Sequence, residues 1–134
     1  DGSTATIASL RGKPTLLWFV VTTCPSVLAS MPMMVQELAR LRTAGVQVVE
    51  VQAFDNLGQP GPGIAEFGRR SAGSAYGDPD WIFGTASDDL TRTYDPYGHP
   101  DIYYLLDSAG QIKFINIAPV STMSNLLSHV AALT

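Results

Sequence analysis

One cysteine, Cys24, is all the chain has in 134 residues, so no disulfide can close within it and the fold must rest on its core. The length fits a single domain over 1–134, and with 46% of its residues hydrophobic the chain can bury a core without metal or disulfide staples. Positive charge is scarce as well. Eight Lys and Arg stand against twelve Asp and Glu, and no basic run exceeds Arg69-Arg70, which excludes nucleic acid as the main partner. Long hydrophobic runs are missing: the best, 14–21, has the length of a strand, and no membrane contact is expected of the chain as given. Two histidines and one cysteine make a poor zinc set, and no G-x-S-x-G elbow supports a serine hydrolase. The chain opens on Asp1 and not on methionine, which suggests an upstream segment such as a signal peptide or membrane anchor.

What is present alternates between strand and helix patterns. Thr15-Leu-Leu-Trp-Phe-Val-Val21 is a continuous apolar run rich in β-branched and aromatic residues, as expected of a strand buried on both faces. From Pro25 to Thr43, Val27, Leu28, Met31, Met34, Val35, Leu38 and Leu41 recur at helical spacing, and Gly45 is a natural stop. A second buried strand follows at 46–54, so the three elements make a βαβ unit with a parallel pair. Glu50 interrupts that strand, and a buried unpaired carboxylate is costly, so it is expected to point to an edge or to the end of a helix, and no function is assigned. Segment 56–63, with three glycines and two prolines, reads as loop; 64–72 as a short helix; 80–84 as a strand; and Ser87 as the start of a helix at 90–94. Strands at 101–106 and 111–118 are joined by the turn Asp107-Ser-Ala-Gly110, and 121–133 closes the chain as an amphipathic helix. This order predicts an α/β fold with a mixed central sheet flanked by helices, a C-terminal hairpin and helix, and Leu17, Phe19, Val49, Val51, Leu105 and Leu127 in the core.

Cys24 sits where the first strand gives way to the first helix. Unpaired N–H groups and the helix dipole favour a thiolate there, and Pro25 suits the first helical position. A partly accessible, thiolate-prone cysteine is expected, unless apolar neighbours such as Val27 cancel the effect. The residues around it resemble the thioredoxin superfamily, in its TlpA-like and ResA-like branch: Asp1-Gly2, Ser9-Leu-Arg-Gly-Lys-Pro14, Leu16-Leu-Trp-Phe19, Thr23-Cys-Pro25, Met31-Pro32, and the hairpin segment 103–112. The resemblance implies a thioredoxin-like fold, an extracytoplasmic location and protein thiols or disulfides as partners. Two departures matter. Val27 stands where the family has its second active-site cysteine, and Thr23 where it has tryptophan. Dithiol chemistry within one chain is therefore excluded, while a single thiolate can still attack a disulfide or be oxidised. The alternative is a Cys24 kept only for packing. One-cysteine peroxiredoxins do not fit, since Leu17 and Val21 replace the proline and the Thr or Ser of their signature.

By the same resemblance a cis-proline loop should face Cys24 and bind the partner backbone, with Pro100 the candidate, although counting back from Asp107 puts that position on Asp101. In the other register, His99 resembles the copper-binding histidine of the Sco branch, with Leu28 where a second cysteine ligand belongs. Cys24 and His99 could then hold copper, which suits thiolate and imidazole. Met31, two turns along the helix, is a further conceivable ligand but is explained by core packing alone. Asp55 ends the second strand, where α/β active sites gather, and resembles a shortened form of the glutamate that ResA-like proteins carry there; it reads equally as a loop-capping aspartate. Three functions stay open: monothiol exchange through Cys24, with Asp55 assisting and Pro25, His99 and Pro100 meeting the partner; Sco-like copper binding; or a redox-inactive peptide-binding module.

Overall fold

The structure is a computed structural model and describes residues 4–133. Asp1-Gly2 of the opening motif lie outside the described residues. Among these the chain forms one five-stranded sheet in the order β3-β2-β1-β4-β5, from β1 (Thr15–Val20), β2 (Gln47–Gln52), β3 (Trp81–Thr85), β4 (Asp101–Leu106) and β5 (Ile112–Ile117). β1, β2 and β3 run parallel, whereas β4 is antiparallel to β1 and β5 to β4. The helices are α1 (Pro25–Thr43), α2 (Ile64–Ala72), α3 (Asp88–Tyr94) and α4 (Pro119–Ala131).

All six residues of β1 are buried, as are all six of β4, which is why both read as uninterrupted apolar runs. One face of the sheet, with Leu16, Trp18, Val20, Val48 and Tyr103, packs under α1, α2 and α4 through Val27, Met31, Met34, Phe67, Met123 and Leu126. The other face, with Leu17, Phe19, Val49, Val51, Tyr104 and Leu106, is covered by the turn Ile7–Leu10 and by Leu90 and Tyr94 of α3.

α1 ends as the sequence predicts. Gly45 takes φ 80°, its N–H bonds the Arg42 carbonyl and the Val46 N–H bonds Leu41, which together form a Schellman closure. Lys13 and Arg42 converge on Asp80 at 2.7 and 2.8 Å, so the Gly-Lys-Pro part of the opening motif ties down the pole of the sheet opposite the cysteine.

Four expectations need correction. Leu127 is only half-buried and Leu126 takes its place in the core, because Met123, Leu126 and Val130 form the inward ridge of α4. Leu28 and Val35 are exposed, since the sheet covers a narrower stripe of α1 than the apolar pattern spans. Glu50 is fully buried on β2, which lies between β3 and β1 and not at an edge of the sheet. The peptide bond before Pro100 is trans, like every other among the described residues.

Candidate active site

Cys24 is the N-cap of α1, with its backbone extended at φ −67° and ψ 125°. β1 is wholly buried and ends at Val20, and the tight Val21-to-Cys24 turn, closed by the Cys24 N–H on the Val21 carbonyl at 3.0 Å, brings the chain to the surface. Pro25 fixes the first helical residue without needing a donor. The thiol is consequently half-buried, in contact with the core yet open to solvent, while Pro25 beside it is exposed.

The residue that reaches the thiol is Ser26, with Oγ 3.3 Å from Cys24 Sγ. Ser26 Oγ–H in turn donates to Asp101 Oδ2 at 2.5 Å, and the other carboxylate oxygen accepts from Trp18 Nε1 at 2.6 Å. The backbone N–H of Ala118 adds a further hydrogen bond. Asp101 is the first residue of β4, set opposite Val20 on the helix-covered face, and is 4% exposed. Burial holds its carboxyl above the usual carboxylate range, an effect that the hydrogen bonds from Ser26 and Trp18 oppose. Next to Trp18 on β2 lies Glu50. Its Oε1 accepts from Trp81 Nε1 at 3.2 Å and its Oε2 has no hydrogen-bond partner among the described residues, so burial pushes it well above the ordinary value.

The loop expected at 56–63 folds back onto the cysteine turn. Residues 55–57 all take left-handed conformations, with φ from 52° to 54°, which costs about 1–2 kcal/mol for each non-glycine residue. The compensation comes from Asn56, which is buried. Its Oδ1 accepts from the Thr22 N–H and from Gln52 Nε2, both at 3.0 Å, and its Nδ2 donates to the Gln59 carbonyl at 3.1 Å. Thr22 and Thr23 hydroxyls bond the Pro62 and Pro60 carbonyls, and a Cβ on Gly61 would come within 2.7 Å of Thr22 Oγ1. Asn56→Ala is expected to lower stability by about 2–3 kcal/mol, the sum of lost bonds and left-handed strain, and to loosen the Cys24 turn. Urea unfolding with protease sensitivity of 56–63 measures both.

Asp55 itself is exposed and lines a separate cavity of about 680 Å³ with Phe54, Gln59, Thr85 and Ser87, a cavity whose walls do not include Cys24. His99 is exposed and engages Asp95, which accepts its backbone N–H at 2.7 Å and senses the charge of its ring. Among the described residues no three or more His, Cys, Asp and Glu side chains gather as a metal site. Met31 is buried in the core. Pro100 is exposed, and its carbonyl accepts from the Val21 N–H at 2.9 Å, which sets loop 97–100 beside the cysteine turn. The sequence singles out Cys24 but not Ser26, Asp101 or Asn56, which the structure places against the Cys24 turn or its neighbours. The one signal available was the loop register, which placed Asp101, not Pro100, at the position facing Cys24.

Comparison with protein families finds no match, and comparison with curated protein sequences finds none either. Solved structures do match. A thioredoxin-like protein from Aeropyrum pernix superposes with a TM-score of 0.69 at 18% identity, over 95% of this chain and 83% of that one. A secreted Mycobacterium tuberculosis disulfide oxidoreductase homologous to E. coli DsbE gives 0.62 at 21%, over 94% and 86%. Arabidopsis thaliana ScoI with copper bound gives 0.64 at 16%, over 99% and 92%. The protein has the thioredoxin-like fold, and both lines of resemblance in its sequence have counterparts among these structures.

Proposed function

We propose that the protein carries out thiol–disulfide exchange with partner proteins through Cys24 alone. The observation that carries this reading is the half-exposed thiol at the head of α1, held at the end of a buried strand and free of any disulfide. Cys24 as thiolate attacks one sulfur of a partner disulfide; a Cys24–partner bond forms, the partner S–S bond breaks, and its other sulfur leaves as thiolate. Val27 offers no resolving thiol, so a second, external thiol must release the mixed disulfide. Pro25 and Leu28, exposed in the first turn of α1, and Pro100, exposed beside the cysteine turn, would meet the partner's backbone. A disulfide-permissive, extracytoplasmic compartment suits the reaction, and the secreted mycobacterial neighbour supports that location. Among the described residues no helix is long and apolar enough to cross a membrane.

The test is incubation with an excess of a disulfide-bearing protein, followed by non-reducing electrophoresis and mass spectrometry. One mixed disulfide per chain is expected, none with Cys24→Ser, and no catalytic turnover. A Cys24 that forms no adduct would reduce it to a packing residue. Cu(I) binding by the parent that is lost in His99→Ala would replace this reading with copper binding.

A further inference from the structure

β4 begins by placing a carboxylate two hydrogen bonds away from the only thiol. Asp101 is held from both sides: Trp18 Nε1 on Oδ1 fixes the plane of the carboxylate, leaving Oδ2 aimed at Ser26 Oγ, which in turn contacts Cys24 Sγ. At 4% exposure, little water competes for the carboxylate. We propose that Asp101 and Cys24 share one proton through the Ser26 hydroxyl, Asp101 acting as the positioning residue that sets when the sulfur becomes a nucleophile.

A serine hydroxyl has one hydrogen to give. With Asp101 ionised, that hydrogen goes to Oδ2, and Ser26 Oγ accepts the S–H of Cys24, so the thiol form is favoured. With Asp101 protonated, the chain runs the other way: the carboxyl O–H donates to Ser26, and Ser26 donates to the thiolate. A concerted shift along both bonds converts one arrangement into the other. The S–H bond breaks, its proton joins Oγ, and the original Oγ hydrogen passes to Oδ2. The thiolate then attacks the partner disulfide, and the leaving thiolate of the partner takes up the proton that Asp101 releases. The partner disulfide is the oxidant, and no other reactant is needed. This inference rests on the exchange reading of Cys24.

The surroundings favour a carboxyl able to take that proton. Burial raises the affinity of Asp101 for it. The groups packed around are Glu50 from β2, Tyr103 from β4, Trp18 from β1, Ser26 and Cys24 from α1, and the Ala118 amide; none is a cation that would hold Asp101 ionised.

The experiment follows the rate of Cys24 alkylation by iodoacetamide against pH in the whole chain. The parent is expected to show two inflections, because a coupled pair titrates in two macroscopic steps. Asp101→Asn should show one inflection, lying below the parent's upper one, and alkylate on the order of ten-fold faster at neutral pH, since a like charge has gone. Ser26→Ala should also show one inflection, and Ser26→Thr, which keeps the hydroxyl, should restore two. If Asp101→Asn fails to fold, the Ser26 pair decides alone. Superimposable profiles for the parent and Ser26→Ala would overturn the proposal and leave Asp101 as a staple between β1, β4 and α1. Two inflections without any mixed disulfide would overturn the exchange reading and leave proton sharing in place.

Discussion

On the exchange reading of Cys24, Val27→Cys is expected to convert stoichiometric mixed-disulfide formation into turnover. Val27 lies one helical turn beyond Cys24, is fully buried, and packs in the cluster under α1, so a cysteine there sits three residues along the helix with its sulfur directed inward. That spacing brings the two Cβ atoms within reach of a disulfide. The new thiol can attack Cys24 in the mixed disulfide, release the reduced partner and leave an intramolecular bond that a small dithiol reductant reopens. Reduction of a protein disulfide under dithiothreitol should rise at least on the order of 100-fold over the parent, with His99→Ala leaving the gain almost intact. The cavity cost is modest, since valine and cysteine differ little in volume, about 1 kcal/mol or less. Failure of the introduced thiol to bond with Cys24, with both sulfurs alkylating independently, would show that the α1 N-terminus no longer permits the geometry. A gain abolished by His99→Ala would shift attention from thiol exchange to the loop at 97–100.

Where the chain's own periodicity decides the structure, the sequence was a sufficient guide. α1 runs from Pro25 to Thr43 as read, because Pro25 and Gly45 punctuate it and the buried ridge Val27, Met31, Met34, Leu38 and Leu41 recurs between them. β4 runs from Asp101 to Leu106 as read, and β1 and β2 differ only slightly at their ends. The site was legible only in the part that is local. Cys24 is announced by its place between strand and helix. Ser26 and Asp101 are 75 residues apart and meet because β4 pairs antiparallel with β1, a relation no short-range pattern encodes. The same holds at the end of β2. Reading for chemistry selected the acid, Asp55, whereas the neighbouring amide makes the contact, since Thr22 needs an acceptor for its N–H and Asn56 also has a donor for the Gln59 carbonyl. Glu50 was misplaced for a related reason: a charge within Val48-Val49-Glu50-Val51 argues for an edge unless the partner, here Trp81, is known.

Glu50→Gln is expected to stabilise the protein at alkaline pH and to change little in acid. Glu50 has no exposed surface, one oxygen hydrogen-bonded to Trp81 Nε1 and one with no partner among the described residues. Burial raises its pKa well above the ordinary value, the Trp81 hydrogen bond opposes the shift, and the charge of Asp101 adds to it. A carboxyl with a raised pKa in the folded state prefers to be protonated there. Its contribution is therefore fully present below the unfolded value, about pH 4.3, and is lost as pH rises through the folded value. Glutamine keeps the acceptor for Trp81 and cannot ionise. The variant should match the parent within about 1 kcal/mol near pH 4 and exceed it by about 1–3 kcal/mol at pH 8–9, the usual cost of a buried polar group left unsatisfied. Burial also raises Asp95 and Asp101, so the parent's own pH slope mixes all three, while the difference between variant and parent leaves Glu50 together with its coupling to Asp101. Urea unfolding at several pH values measures that difference. A variant less stable than the parent by a constant amount at every pH would mean that Glu50 ionises in the folded protein as freely as in the unfolded chain, and that its place beside Trp18 and Asp101 has no hold on its proton.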